Sequence, residues 1–339
     1  MATRVTLSEV AELAGVHRGT ASRALNPQTE SQLNIDTVRR VKQAAESLGY
    51  VPDALARGLR MSRSMTVGMI IPDLTSPIFP PIVRGIEEIL QPQGYTALLT
   101  NSDGDLAVES SLYDSLRQRR VDGFLLATGR LDEQPVLARA QADGVLAVMV
   151  NREAGRAPFP AVIADSQAGI RMALDHVLEL GHRRIVHLSG PTSFSTTRQR
   201  REAFVTVARG VAGLEWGVHE AADLSIAEGE RVMAEVLATS HRPTAVLAGN
   251  DLLALGALHT IRRAGLRCPE DLSVLGFNDM PFAGDLSPAL TTIHVPLRQI
   301  GCESARMLLQ AIISGVQKPI TRTLPVSLQV RESTGPVPA

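Results

Sequence analysis

The sequence predicts an N-terminal all-α helix-turn-helix head followed by an α/β core of two doubly wound parallel-sheet subdomains. The stretch "VAELAGVHRGTASRALN" (residues 10–26) reads as two short helical patterns broken at Gly15-Val16. From Met65 onward, near-continuous short apolar runs alternate with helix-length segments, the pattern of parallel strands covered on both faces. A chain of 339 residues is also too long for one small sheet, since a domain usually holds about 100–200.

In the head, Thr6 with Glu9 three residues later forms a capping box for a helix from about Leu7 to Ala14. Val10 and Leu13 are its apolar stripe. Gly15 permits the left-handed turn that stops a helix abruptly. His17 falls at the start of a second helix, which runs through "RGTASRAL" to Asn26. After the loop "NPQTESQL", Asn34 caps a third helix whose apolar positions Ile35, Val38, Val41, Ala45 and Leu48 recur at helical spacing. Gly49 ends it. Residues 51–63, "VPDALARGLRMSR", have no stripe wide enough to fold alone and read as a linker, helical only when held.

Beyond the linker the strand candidates are "TVGMII", "YTALLT", "VDGFLLA", "VLAVMV", "AVIAD", "RIVHLSG", "TAVLAG" and "LSVLGF". Most gaps hold a helix, such as "IFPPIVRGIEEILQ", "LAVESSLYDSLRQRR", "SQAGIRMALDHVLEL" and "DLLALGALHTIRRAG". The run divides near Ala164 into two similar halves. The tail "RTLPVSLQVRESTGPVPA" reads as a last strand and a frayed end. Ligands of such folds lie beyond the carboxyl ends of the strands, here between the halves.

Composition narrows the function classes. With 44% hydrophobic and 20% charged residues, the chain can build full cores. No run of about 18 or more apolar residues occurs, so no membrane span is expected. "MATRVTLSEVAELAG" has acidic residues where a signal peptide needs an apolar stretch, so a cytoplasmic protein is expected. Cys268 and Cys302 stand alone, without ligand spacing, and read as buried free thiols. The net charge of −1 hides an asymmetry: residues 1–63 hold nine basic and six acidic residues, +3, which leaves −4 for the rest. A basic head on an acidic body points the head alone at a polyanion.

Enzyme signatures are absent: no GxxxxGK[ST] loop, GxSxG elbow, HExxH or strand-borne GxGxxG. No catalytic residue, metal or cofactor is expected, and His182 with His187 supply too few ligands for a metal. Asp73, Asp165, Asn250-Asp251 and Asn278-Asp279 each follow a strand candidate. Any one can be a turn former or helix cap, but several at the same strand ends are placed to grip a polar ligand. In the head, Arg18 and Arg23 on the second helix of a helix-turn-helix are placed for the major groove, and Arg is shaped for bidentate contact with guanine.

These stretches resemble the lac-repressor (LacI/GalR) family of transcription regulators. "VTLSEVAELAGVHRGTASRALN" and "GYVPDALARGL" match its head and hinge. The likeness continues in order through "DLTSPIFPPIVRGIEE", "LGHRRIVHLSGP", "TRQRREAF", "AVLAGNDLLALGAL", "DLSVLGFND" and "LSPALTTIHVP". The resemblance implies a homodimer on a pseudo-palindromic DNA operator and a periplasmic-binding-protein-like core with a small-molecule effector in its cleft. It implies a head at 1–50, a hinge at 51–63, one core subdomain at 64–164 with 296–324, and the other at 165–295 with 325–339. Base readers are then Arg18, Gly19 and Arg23, with Thr20 and Ser22 nearer the backbone and Thr6 and Asn26 also at the DNA. Gly19 has no side chain, which leaves Arg18 dominant.

In the hinge, Ala56, Arg57 and Leu59 match, with Leu59 as a minor-groove wedge and Arg57 and Arg60 mainly serving the backbone; Asp53 replaces the commoner Asn, and Gly58 weakens the helix. Effector contacts carried over are Phe79, Asn151, Arg152, Asp165, Phe194, Arg198, Asn250, Asp251 and Asn278. Leu224 stands where sugar-binding members can place a Trp. Such members often have Asp where this chain has Asn151 and Asn278, which points to an anionic effector, a carboxylate or phosphorylated metabolite, with Arg198 as its clamp. A neutral sugar or polyol remains the alternative. The reading is an effector-controlled operator-binding regulator, most readily a repressor. A periplasmic-type solute-binding protein and a cytoplasmic enzyme on the same fold are its rivals.

Overall fold

A computed structural model of the chain describes residues 5–26, 29–50, 63–132, 134–153, 155 and 157–338. The chain separates into two compact units, 1–64 and 65–339. In the first, α1 (Leu7–Leu13), α2 (Arg18–Ala24) and α3 (Ile35–Leu48) follow one another. The Thr6–Glu9 capping box opens α1, and the Asn34 side chain caps α3 by accepting the Asp36 N–H at 2.8 Å. Gly15 takes φ +63°, the left-handed conformation that lets the chain reverse between α1 and α2. The core of this unit is small: Val10, Ala11, Ala14, Ala21, Ala24, Val41, Ala44 and Ala45, ringed by Val16, Leu25, Val38 and Leu48. Alanines at the crossings let short helices approach closely. Two expected core positions are corrected: Leu13 is 58% and Ile35 81% exposed. Leu13 closes α1 and Ile35 opens α3, and an end residue need not share the buried stripe.

The second unit holds two six-stranded sheets built on the same plan. The first contains β1 (Thr66–Ile71), β2 (Thr96–Asn101), β3 (Gly123–Leu126), β4 (Ala147–Val150), β5 (Ala161–Ala164) and β11 (Thr321–Leu324), in the order β11-β5-β4-β3-β1-β2, all parallel. The second contains β6 (Arg184–Ser189), β7 (Glu215–Glu220), β8 (Ala245–Ala248), β9 (Ser273–Asn278), β10 (Thr291–His294) and β12 (Ser327–Gln329), in the order β12-β10-β9-β8-β6-β7, with only β12 antiparallel. Helices α4 (Phe79–Leu90), α5 (Leu106–Gln118), α6 (Pro135–Ala142) and α11 (Leu297–Ser314) serve the first sheet. Helices α7 (Ser166–Glu179), α8 (Ser195–Arg209), α9 (Ile226–Leu237) and α10 (Asp251–Arg263) serve the second. Strands β3, β4, β5 and β8 are buried throughout, as strands covered on both faces must be.

The chain passes between the sheets three times, after β5, after β10 and after β11, each time from the carboxyl end of a parallel strand. The carboxyl edges of the two sheets therefore face one another. Strands β7 and β10 escaped the sequence reading. Strand β7 is an edge with an exposed, polar sequence, and β10 buries Thr291 and Thr292 in place of apolar side chains. The tail is also corrected. It forms two short strands, one in each sheet, and its end is bonded down: Ser333 Oγ donates to Val274 O at 2.6 Å, and Val337 N–H donates to Leu180 O at 2.9 Å.

Candidate nucleic-acid interface and ligand cleft

On α2, Ala21 and Ala24 turn inward, so Arg18, Gly19, Ser22 and Arg23 share the outer face at 100° per residue. His17 fixes the start of this helix, its Nδ1 accepting the Gly19 N–H at 3.1 Å. Among the described residues the ion pairs of the head, Arg39–Asp36 at 2.7 Å and Lys42–Glu30 at 2.6 Å, involve neither Arg18 nor Arg23. Thr20 and Ser22 are half-buried, flanking the arginines. Thr6 is engaged in its cap: both its N–H and its hydroxyl donate to Glu9 Oε2, at 2.6 and 2.8 Å, and hold that carboxyl below its ordinary range. Asn26 is half-buried at the end of the helix, its carbonyl accepting the Thr29 and Glu30 N–H groups. Asp53, Ala56, Arg57, Gly58, Leu59 and Arg60 lie outside the described residues.

Of the residues expected in the cleft, most gather at the facing sheet edges. Asn151 and Arg152 follow β4, Asp165 follows β5, Phe194 precedes α8, Asn250 and Asp251 follow β8, and Asn278 ends β9. Asn151 and Asn278 adopt φ +62° and +117°, positive values that Asn tolerates better than most residues. Asp165 and Asn250 prove to be helix caps, accepting the Ala168 and Leu253 N–H groups at 2.9 and 2.8 Å. Asn250 also donates from Nδ2 to Leu224 O at 3.1 Å. Asp251 is fully buried and its carboxylate is used on both oxygens, by Thr292 Oγ1 at 2.6 Å and Met280 N–H at 2.7 Å; burial raises its pKa to about 6. Gly276 makes room for it, since a Cβ there would stand 2.2 Å from Asp251 Oδ1. Phe79 opens α4 and is packed into the core.

Arg198 does not join them. Its side chain is 48% exposed and pairs at 3.9 Å with Glu202, one turn further along α8. The guanidinium that enters the cleft belongs to Arg200, which is buried. Its Nη1 donates to Gly249 O at 2.6 Å and its Nη2 to Asn278 Oδ1 at 3.3 Å, with the group 3.7 Å over the Phe277 ring. The sequence carried the signal: Arg200, Phe204 and Ala208 make a buried stripe at four-residue spacing, and Arg198 is off it. Behind it, His187 stacks on Phe204 and donates from Nδ1 to Leu247 O at 2.8 Å; burial pushes it down to about 4, so it is neutral.

Across the cleft, Arg152 donates to Thr128 O at 3.1 Å and lies 3.9 Å over the Phe194 ring. Leu131 N–H to Ser193 O at 2.7 Å and Glu153 N–H to Ser195 Oγ at 3.0 Å join the same rims. A separate cavity of about 590 Å³ opens beside the β10–α11 crossover, lined by Pro81, Asp279, His294, Arg298, Cys302 and Arg306 among others. Of the strand-end residues expected to grip a ligand, Asp279 lines it, and none of the carried-over effector contacts does. Its charges are paired, Asp279 with Arg331 and Arg298 with Glu88, both at 2.7 Å, and His294 Nδ1 hydrogen-bonds Asp279 at 2.9 Å, so the facing sheet edges are the better ligand site. No group of three or more metal-ligating side chains occurs among the described residues. Cys302 is buried, whereas Cys268 is only partly so, its thiol donating to Ser333 O at 3.3 Å; both are free.

A helix-turn-helix with an open arginine face, carried by a two-sheet core with a polar cleft, defines a DNA-binding regulator with a ligand-binding core. The chain belongs to the lacI family of bacterial regulatory proteins. The family model for "Bacterial regulatory proteins, lacI family" matches residues 6–53, and that for the "Periplasmic binding protein-like domain" matches residues 174–334. The ribose operon repressor of Halalkalibacterium halodurans is 32% identical over 97% of both chains. The HTH-type transcriptional repressor PurR of Aliivibrio fischeri is 32% identical over 91% of both chains. Among solved structures, the lac repressor dimer bound to operator and an anti-inducer superposes with a TM-score of 0.87 at 28% identity, covering 98% of this chain and all of that one.

Proposed function

We propose that the protein is a repressor that binds a pseudo-palindromic operator as a homodimer and is controlled by a small polar metabolite in the cleft between its sheets. The observation that carries this is the outward face of α2, where Arg18 and Arg23 make no ion pair among the described residues, in the same chain as a cleft lined by buried polar side chains. Arg18 and Arg23 read base edges; Thr20, Ser22, Thr6 and Asn26 flank them at the backbone. Leu59 of the hinge wedges the minor groove, with Ala56, Arg57 and Arg60 around it. In the cleft Asn151, Asn278 and Arg200 face the ligand, Arg152 and Phe194 form its rim, and Arg198 has no part. The core divides at 164/165, 295/296 and 324/325, where the chain changes sheets. Ligand binding shifts the population between two lobe arrangements and so changes operator affinity. The protein turns over no substrate and works where the DNA is, in the cytoplasm.

Selection of duplexes from a randomised pool by the full chain tests this reading. A two-fold symmetric consensus is expected, with half-sites about one helical turn apart. Recovery of no consensus overturns it.

A further inference from the structure

Resting on that reading of the cleft, we propose that its ligand is a small organic anion, bearing a carboxylate or phosphate, with the buried Arg200 as its counter-charge. Arg200 and Arg152 are 4% and 8% exposed, yet among the described residues neither has a carboxylate within ion-pair distance. Each is held instead by neutral groups: Gly249 O at 2.6 Å, Asn278 Oδ1 at 3.3 Å and the Phe277 ring for Arg200, Thr128 O at 3.1 Å and the Phe194 ring for Arg152. Buried charges are ordinarily paired, because an unpaired one forfeits its hydration. The Nε–H of Arg200 is also buried without an acceptor.

The nearby acids do not fill that role. Asp251 spends both oxygens on Thr292 and Met280. Glu109 accepts the Thr128 hydroxyl at 2.6 Å, and burial raises its pKa, which weakens it as a partner for Arg152. Burial pulls Arg200 down to about 9 and Arg152 to about 10, the sign of cations whose neighbours do not offset their desolvation. At the carboxyl ends of β4 and β9 stand the neutral amides Asn151 and Asn278. Asn278 already gives its oxygen to Arg200, so its remaining group is a donor. The free hydrogen-bonding capacity beside Arg200 is therefore donor-rich. It complements a ligand of acceptors and negative charge, for which guanidinium is the strongest protein partner.

The test compares thermal unfolding of the full chain with inorganic phosphate, D-ribose 5-phosphate, D-gluconate or D-ribose, at constant ionic strength. Asn278→Asp places a carboxylate against Arg200 and leaves size and backbone preference nearly unchanged; Arg200→Lys keeps charge but loses the fork. At least one anion is expected to raise the Tm of the wild type while D-ribose does not. The phosphate and gluconate arms distinguish the two acid groups. Both variants are expected to weaken that anion roughly tenfold or more by titration calorimetry, and Arg198→Ala to leave it unchanged. Stabilisation by D-ribose alone, by no member of the set, or by anions equally in wild type and both variants overturns the proposal. Operator binding by the wild type, followed by gel shift, reports separately on the regulator reading and survives any of these outcomes.

Discussion

The Arg152 guanidinium lies 3.9 Å over the Phe194 ring, and this stack joins the lobe of the first sheet to that of the second. A desolvated cation–π contact contributes about 0.5–2 kcal/mol. Phe194→Ala should lower the unfolding free energy of the ligand-free chain by about that amount, and Phe194→Trp should retain it. Urea denaturation reads the difference; equal midpoints for wild type and Phe194→Ala would show that the stack contributes nothing.

Asp251 makes a pH prediction. Burial raises its folded pKa from 3.8 to about 6, so between those values the unfolded chain has released a proton that the folded chain still holds. Its contribution to stability is therefore full below about pH 3.8 and declines as pH rises to about 6, with a slope approaching about 1.4 kcal/mol per pH unit. Asp251→Asn should flatten that part of the profile. Chemical denaturation of both proteins across this window checks it, and parallel profiles would contradict it.

How far the sequence announced these features depends on whether the signal is local. The Thr6–Glu9 box, the Asn34 cap and the apolar run of β1 all lie within a few residues, and each stands where the pattern put it. The polar strand β10 was hidden because Thr291 and Thr292 are buried by partners far away in sequence, Arg331 N–H and Asp251 respectively. Arg198 and Arg200 differ by two positions, which turns a helical side chain about 200°. The run Arg198-Gln199-Arg200-Arg201 offers several guanidiniums, and only the stripe through Phe204 and Ala208 distinguishes the buried one. Asp165 and Asn250 take the helix-cap role that a strand-end residue can also have, with partners three residues on, whereas Asp251 is engaged by Met280 and Thr292, far along the chain, which no strand-end motif names.

At the operator, Arg18→Ala should cost about 1–3 kcal/mol on the preferred site and relax the preference at one base position. Arg60→Ala should weaken preferred and random DNA alike. A randomised-site selection with each variant checks both; an unchanged consensus for Arg18→Ala would remove it from the base readers.

Leu59 is expected to act by insertion, where unstacking is repaid by bending the duplex onto more protein surface. Leu59→Ala should reduce DNA bending and specific affinity while leaving the dimer intact by analytical ultracentrifugation. Circular-permutation gel mobility measures the bend, and an unaltered angle would withdraw the wedge.

The most direct measurement is the ratio of the full chain's affinity for its selected duplex to that for a scrambled duplex of equal length and composition, by fluorescence anisotropy at physiological salt. Specific regulators hold their site roughly 10³-fold or more tighter than random DNA. The account predicts a ratio of that order, reduced by Arg18→Ala. A ratio near one, unaffected by Arg18→Ala, would contradict the assignment of α2 as the reading helix.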